Sequence, residues 1–138
     1  MPKPKVLFIC LGNSCRSIMA EALTRHFCGH HWAAASAGLN PLGFVAPETL
    51  EALVEIGVST IGLRSQGLEE FHLEEFRLLV NLTDFSLDGR LSPVEAVRLI
   101  HRPVLDPYGG SLPLYRRSRD ILKSLILGEL CRQDLSGP

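Results

Sequence analysis

Residues 6–9, Val-Leu-Phe-Ile, run without a polar residue among them. A strand with one face in water alternates with a period of two, so so uniform a run suits a strand covered on both faces. It reads as a strand from Lys5 to Cys10, followed by small and polar residues until Arg16 and Ser17 open a helical pattern. Over residues 17–27 the apolar Ile18, Met19, Ala22 and Leu23 share one stripe, with Glu21 and Arg25 off it. A doubly covered strand, a short loop and a one-sided helix form a unit of parallel sheets wrapped by helices.

The rest of the chain repeats that alternation. "WAAASAG" predicts a short second strand ending at Gly38, and the Gly- and Pro-bearing "LNPLGFVAP" a loop. A helix is expected from Pro47, with Leu50, Leu53 and Val54 inward, Glu48, Glu51 and Glu55 outward, and a stop at Gly57. "LEEFHLEEF" reads as a short helix leading into a strand over residues 77–83, and residues 84–89 as a loop. Ser92, Pro93, Val94 and Glu95 have the form of a capping box, while "AVRLIH" suits a fourth strand, and periodicity leaves both open. "VLDPYGGS" is a turn, after which Ser111 caps a last helix with Ile121, Leu122, Leu125 and Ile126 inward and a polar tail from about residue 132. The 138 residues, 46% hydrophobic and 21% charged, suit one globular domain over 1–138 with its own core.

Fourteen basic residues against fifteen acidic ones leave a formal charge of −1, without the basic excess that holds a nucleic-acid backbone. The apolar run after Met1 is too short for a signal peptide, and no stretch reaches the roughly 20 apolar residues of a membrane span, so a cytoplasmic location is expected. Cysteines at 10, 15, 28 and 131 lack the pairing of a zinc site or a small disulfide scaffold, and all four are expected to be reduced. Cys28, His30 and His31 offer too few ligands for a metal, and a helix end followed by a turn is expected there.

The chemistry is expected in the first loop, since ligands of parallel sheets bind beyond the carboxyl ends of the strands, where Cys10 lies. Backbone N–H groups at a helix N-terminus favour an anion, and Gly12 allows a sharp backbone path. No lysine lies in the loop, which excludes the GxxxxGK[ST] nucleotide-binding pattern. Instead Cys10 and Arg16 make C-x5-R-S. The same N–H groups stabilise a thiolate at Cys10, and the Arg16 fork suits two oxygens of a phosphoryl group. Ser17 can donate a hydrogen bond to the sulfur. Asp106, in "VLDPYGG", can act as acid toward a leaving group and then as base toward water.

With "VLFICLGNSCRS", "MAEAL", "SAG" at 36–38, and "VLDPYGGS" before "YRRSRDIL", the chain resembles the low-molecular-weight protein tyrosine phosphatases, a family that includes protein arginine phosphatases and thioredoxin-coupled arsenate reductases. The resemblance implies a three-layer α/β/α fold with a four-stranded parallel sheet, of the flavodoxin/Rossmann-like phosphotyrosine phosphatase I type. It implies a phosphocysteine mechanism without metal or cofactor, a phosphorylated protein or peptide as substrate, and inorganic phosphate or sulfate as a site ligand. Cys10 would be nucleophile, Arg16 phosphate clamp and Asp106 general acid and base, with Asn13 and Ser17 shaping the loop. Leu11, Gly12, Asn13, Ser14, Cys15 and Arg16 would hold substrate, flanked by Phe44, Leu42 and Tyr108. Cys15 matches a family cysteine that can form a protective disulfide with Cys10.

The chain also departs from the pattern. Ile18 stands where many members carry Pro, and Ser14 stands where tyrosine phosphatases often carry Ile and arginine phosphatases Thr. Arsenate reduction of the thioredoxin-coupled kind needs two further cysteines mid-chain, and none lies between Cys28 and Cys131. Three alternatives therefore stand behind a phosphotyrosine phosphatase: an arginine phosphatase, an arsenate reductase-like enzyme and a non-catalytic phosphate-binding module. Arg116, Arg117 and Arg119 read as a solvated helix face, His72 and His101 receive no role, and the oligomeric state is left open.

Overall fold

A computed structural model describes residues 2–88, 91 and 97–132. Four strands, β1 (Lys5–Cys10), β2 (Ala33–Gly38), β3 (Leu78–Asn81) and β4 (Arg98–His101), form one sheet in the order β2-β1-β3-β4. All three pairings are parallel, and the register sets Cys10 beside Gly38 and Ile9 beside Asn81. The chain runs from β1 outward to β2 and then returns to the other side of β1. The carboxyl end of β1 is therefore the switch point at which such sheets bind ligands.

Helices α1 (Arg16–Cys28), α2 (Pro47–Val54) and α3 (Leu112–Leu125) join one hydrophobic cluster with the sheet residues Val6, Phe8, Leu78, Val80 and Ile100. The opposite face, Leu7, Ile9, Ala37 and Leu79, is covered by Phe76, Leu87 and two 3-10 turns, Leu68–Glu70 and Leu73–Glu75. The result is the expected three-layer α/β/α fold, and residues 6–9 are fully buried because both faces of β1 are covered. The single expected helix over 68–76 is two turns, since its apolar Leu68, Phe71, Leu73 and Phe76 serve the small hydrophobic cluster on this face. "AVRLIH" contributes β4; the capping box of residues 92–95 lies outside the described residues.

Four expectations need correction. Glu21 is buried, not off the core face: Ser36 donates to its Oε1 at 2.6 Å and Arg25 pairs with Oε2. Val54 is exposed and Thr49 and Ala52 are buried instead, because α2 turns its inner face toward α1 and α3. In α3 the buried residues are Tyr115, Ser118, Arg119 and Leu122, while Ile121 faces out. The cysteines are not all reduced: Cys28, at the end of α1, is bonded to Cys131, just beyond a π-helical turn (Ile126–Leu130), at a sequence separation of 103. Trp32 Nε1 donates to Leu130 O at 2.8 Å beside that bridge.

Candidate active site

The loop between β1 and α1 is held by the segment that follows β2. Leu39, Asn40, Leu42 and Ala46 donate their N–H groups to the carbonyls of Cys10, Leu11, Gly12 and Ser14 at 2.8–3.2 Å. These bonds turn the loop's carbonyls outward. Among the described residues the N–H groups of residues 12–16 meet no backbone acceptor, which leaves them as donors at the start of α1. Gly38 permits the close approach: a Cβ there would lie 2.9 Å from Asn13 N and Leu11 O.

The sharp backbone turn belongs to Asn13, whose φ is +46°, and not to Gly12. Asparagine tolerates that region, and here its side chain is also used. Gln66 N donates to Asn13 Oδ1 at 2.7 Å, which fixes the amide so that Nδ2 donates to Ser17 Oγ at 2.7 Å. Ser17 Oγ lies 2.8 Å from Cys10 Sγ. With its oxygen already accepting from Asn13, Ser17 keeps its hydrogen for the sulfur, and against a thiolate it is the only donor of that pair.

Arg16 is buried, with Nη1 donating to Leu82 O at 3.0 Å and Val104 O at 3.3 Å. Its Nη2 lies 3.4 Å from Asp106 Oδ2. Tyr108 N donates to Asp106 Oδ1 at 3.1 Å, so the carboxylate presents one oxygen to its own turn and the other to Arg16. Ser118 Oγ in α3 anchors the same segment through Leu105 O at 2.8 Å. Five carbonyl or carboxylate contacts thus hold Arg16 and the segment of Asp106 against each other.

A cavity of about 200 Å³ opens here, lined by Cys10, Leu11, Gly12, Ser14, Cys15, Arg16, Asn40, Leu42, Asp106 and Tyr108. Asn13 does not line it, because the side chain is fully buried beneath the loop. Phe44 is not in the lining either; it stands at the rim with its ring centroid 6.5 Å from that of Tyr108. Ser14 Oγ accepts the Ala46 N–H at 2.9 Å, and Ser14 O accepts from Thr49 Oγ1 at 2.9 Å, so this residue fastens α2 to the loop. Burial pushes the Cys15 thiol up, against the lowering effect of its hydrogen bonds to Thr49 and Tyr115, which keeps it protonated at neutral pH. Cys10 and Cys15 are both free thiols.

Sequence reasoning missed Asn40, Ser65, Gln66 and Ser118. Each acts through contacts 13 to 53 residues away, which leave no local pattern. Among the described residues no cluster of three or more metal-binding side chains occurs, and no helix is long and apolar enough to cross a membrane.

Residues 5–133 match the family model described as low molecular weight phosphotyrosine protein phosphatase. A protein-arginine-phosphatase of Bacillus subtilis is 35% identical, covering 93% of this chain and 95% of its own length. An arsenate reductase of Staphylococcus xylosus is 33% identical over 91% of this chain and 95% of its own. A crystal structure of a low molecular weight protein tyrosine phosphatase from T. tengcongensis superposes with a TM-score of 0.81 at 28% identity, covering 93% of this chain and 98% of that one. With the match running through the whole sheet and the C-x5-R-S loop alike, this chain belongs to the low molecular weight phosphotyrosine protein phosphatase family.

Proposed function

We propose that this protein is a cysteine-dependent phosphatase that hydrolyses phosphate monoesters, phosphotyrosine on proteins above all. The observation that carries the reading is the convergence of Cys10, Arg16 and Asp106 on one small cavity, with Ser17 Oγ 2.8 Å from the Cys10 sulfur beneath it. In this reading the loop N–H groups and the Arg16 fork hold the three non-bridging oxygens. The Cys10 thiolate attacks phosphorus, an S–P bond forms and the P–O bond to the leaving group breaks. Protonated Asp106 gives its proton to the departing oxygen. Water then attacks the phosphocysteine, Asp106 takes its proton, the S–P bond breaks and the electron pair returns to sulfur. Ser17 eases that last departure by donating to the sulfur, and inorganic phosphate is both product and site ligand.

Leu11, Leu42 and Tyr108 give the cavity walls an apolar character that suits an aryl group. Phosphoarginine is the second reading, favoured by the relative from Bacillus subtilis. Against it, the Ser14 oxygen already accepts the Ala46 N–H and serves the scaffold. Arsenate reduction lacks its relay, since Cys28 and Cys131 are bonded to each other. A non-catalytic module fits least, because no group of the catalytic set is missing. Cytoplasmic residence belongs to the same proposal; the Cys28–Cys131 bridge weighs against it, because thiols there are kept reduced.

The test is Cys10→Ser assayed on p-nitrophenyl phosphate, with phosphate binding followed by calorimetry. Hydrolysis is expected to vanish while phosphate still binds; turnover at the wild-type rate would overturn the mechanism.

A further inference from the structure

Besides the catalytic set, one hydroxyl touches two walls of the site at once. Ser65 Oγ donates to Gly12 O at 3.2 Å and accepts the Gly43 N–H at 3.1 Å. Gly12 lies in the anion loop. Gly43, at φ +86°, makes the turn of the rim segment between Leu42, in the cavity wall, and Phe44, at its edge. Ser65 itself sits on a fixed base: the next residue, Gln66, donates its N–H to Asn13 Oδ1 and accepts the Gly38 N–H at 2.8 Å.

We propose that Ser65 is a positioning residue for substrate recognition, coupling the rim that meets the organic part of the substrate to the loop that meets the phosphoryl group. The proposal rests on the phosphatase reading. Losing the hydroxyl frees the Gly43 N–H, and with it the tether on the rim from Gly43 to Phe44, while Leu42 stays bound to Gly12 O. The anion loop keeps its shape, because Gly12 O still accepts from Leu42 N and Asn13 is still held by Gln66. Ser65 thus acts on the leaving-group side of the site and not on the anion cradle.

The experiment compares wild type, Ser65→Ala and Ser65→Thr on a phosphotyrosyl peptide, with inorganic phosphate binding by calorimetry and amide exchange at Gly43 by NMR. For Ser65→Ala, KM is expected to rise by about three- to tenfold, the loss of one hydrogen bond, with kcat changed less. Exchange at Gly43 should quicken, phosphate affinity should hold, and Ser65→Thr should restore both readouts. An unchanged KM with unchanged Gly43 exchange would overturn the proposal. So would a loss of phosphate affinity parallel to KM, which marks general loosening. Absence of hydrolysis in the wild type would instead remove the phosphatase reading, and Gly43 exchange with phosphate affinity would then decide the coupling alone.

Discussion

At the scale of single residues, the site is ordered by relayed hydrogen bonds, and the chain from Gln66 N through Asn13 and Ser17 to Cys10 shows how. Cys10, Arg16, Ser17 and Asp106 were singled out by residue type and spacing, and the structure brings them together: Ser17 lies against Cys10, and Arg16 against Asp106. Asn13 entered only through the family resemblance, and its partner on residue 66 left no signal in the sequence. Asp106→Asn keeps the turn, since an amide oxygen can still accept from Tyr108 N, but it removes the proton. The rate is expected to fall by about 10²–10⁴ for substrates with poor leaving groups and much less for p-nitrophenyl phosphate. Equal losses on both would take Asp106 out of the acid role. Glu21, read from sequence as a surface residue, yields a second prediction. Burial raises its pKa above the ordinary 4.5, outweighing the lowering by Ser36 and Arg25. The folded state therefore holds this proton more tightly than the unfolded chain does. Its contribution to stability is full below about pH 4.5 and is lost as pH rises through the raised value. Urea titrations should show the stability of wild type relative to Glu21→Gln declining across that window; a flat difference would refute the assignment.

Among the elements, β1 was read to the residue and β2 to its end at Gly38, because a doubly covered strand and a glycine end leave strong local signals. The helices were found, but their inner faces were read only in part. Hydropathy favoured Val54 and Ile121, whereas packing chose Thr49, Tyr115, Ser118 and Arg119, whose polar atoms find partners across the structure. Arg119, for instance, donates to Ala52 O at 2.9 Å and pairs with Glu55, tying α3 to α2. The Cys28–Cys131 bridge was missed because a separation of 103 residues has no sequence signature. It joins the far end of α1 to the turn after α3. Since α1 begins at the anion loop and is 13 residues long, the bridge lies about 20 Å from Cys10 along the helix. Cys131→Ser is therefore expected to lower stability by about 2–4 kcal/mol, or about 10 °C in Tm, with activity at 25 °C retained. The single tryptophan, Trp32, which donates to Leu130 O beside the bridge, gives a fluorescence readout. An unshifted Tm, or activity lost while the fold stays intact, would contradict this division between scaffold and site.

For the molecule as a whole, the fold alone does not choose the substrate, because relatives named as phosphatases and as arsenate reductases match this chain at similar identity. What differs between such enzymes must lie in groups added around a shared cradle. Here the cavity is walled by Leu11, Leu42 and Tyr108, with Phe44 beyond them, and the Ser14 hydroxyl in its lining accepts the Ala46 N–H. A planar ring loses little by leaving water for such a wall, whereas the guanidinium of phosphoarginine would bring several N–H donors to a surface with few acceptors. Asp106, the exposed Asn40 and the Tyr108 hydroxyl are side-chain acceptors among the lining residues. Arsenate would bind the same N–H groups, but its reduction to arsenite needs two electrons from thiols in sequence after Cys10, and the remaining free thiol, Cys15, is buried and held protonated. Purified protein assayed on matched phosphotyrosyl and phosphoarginyl peptides, and on arsenate with a thioredoxin system, should therefore rank them in that order by kcat/KM. The margin between the first two is expected to be about tenfold or more, the cost of leaving polar groups unpaired. Preference for phosphoarginine would mean that Asn40 and Asp106 outweigh the apolar wall, and Asn40→Ala should then abolish that preference.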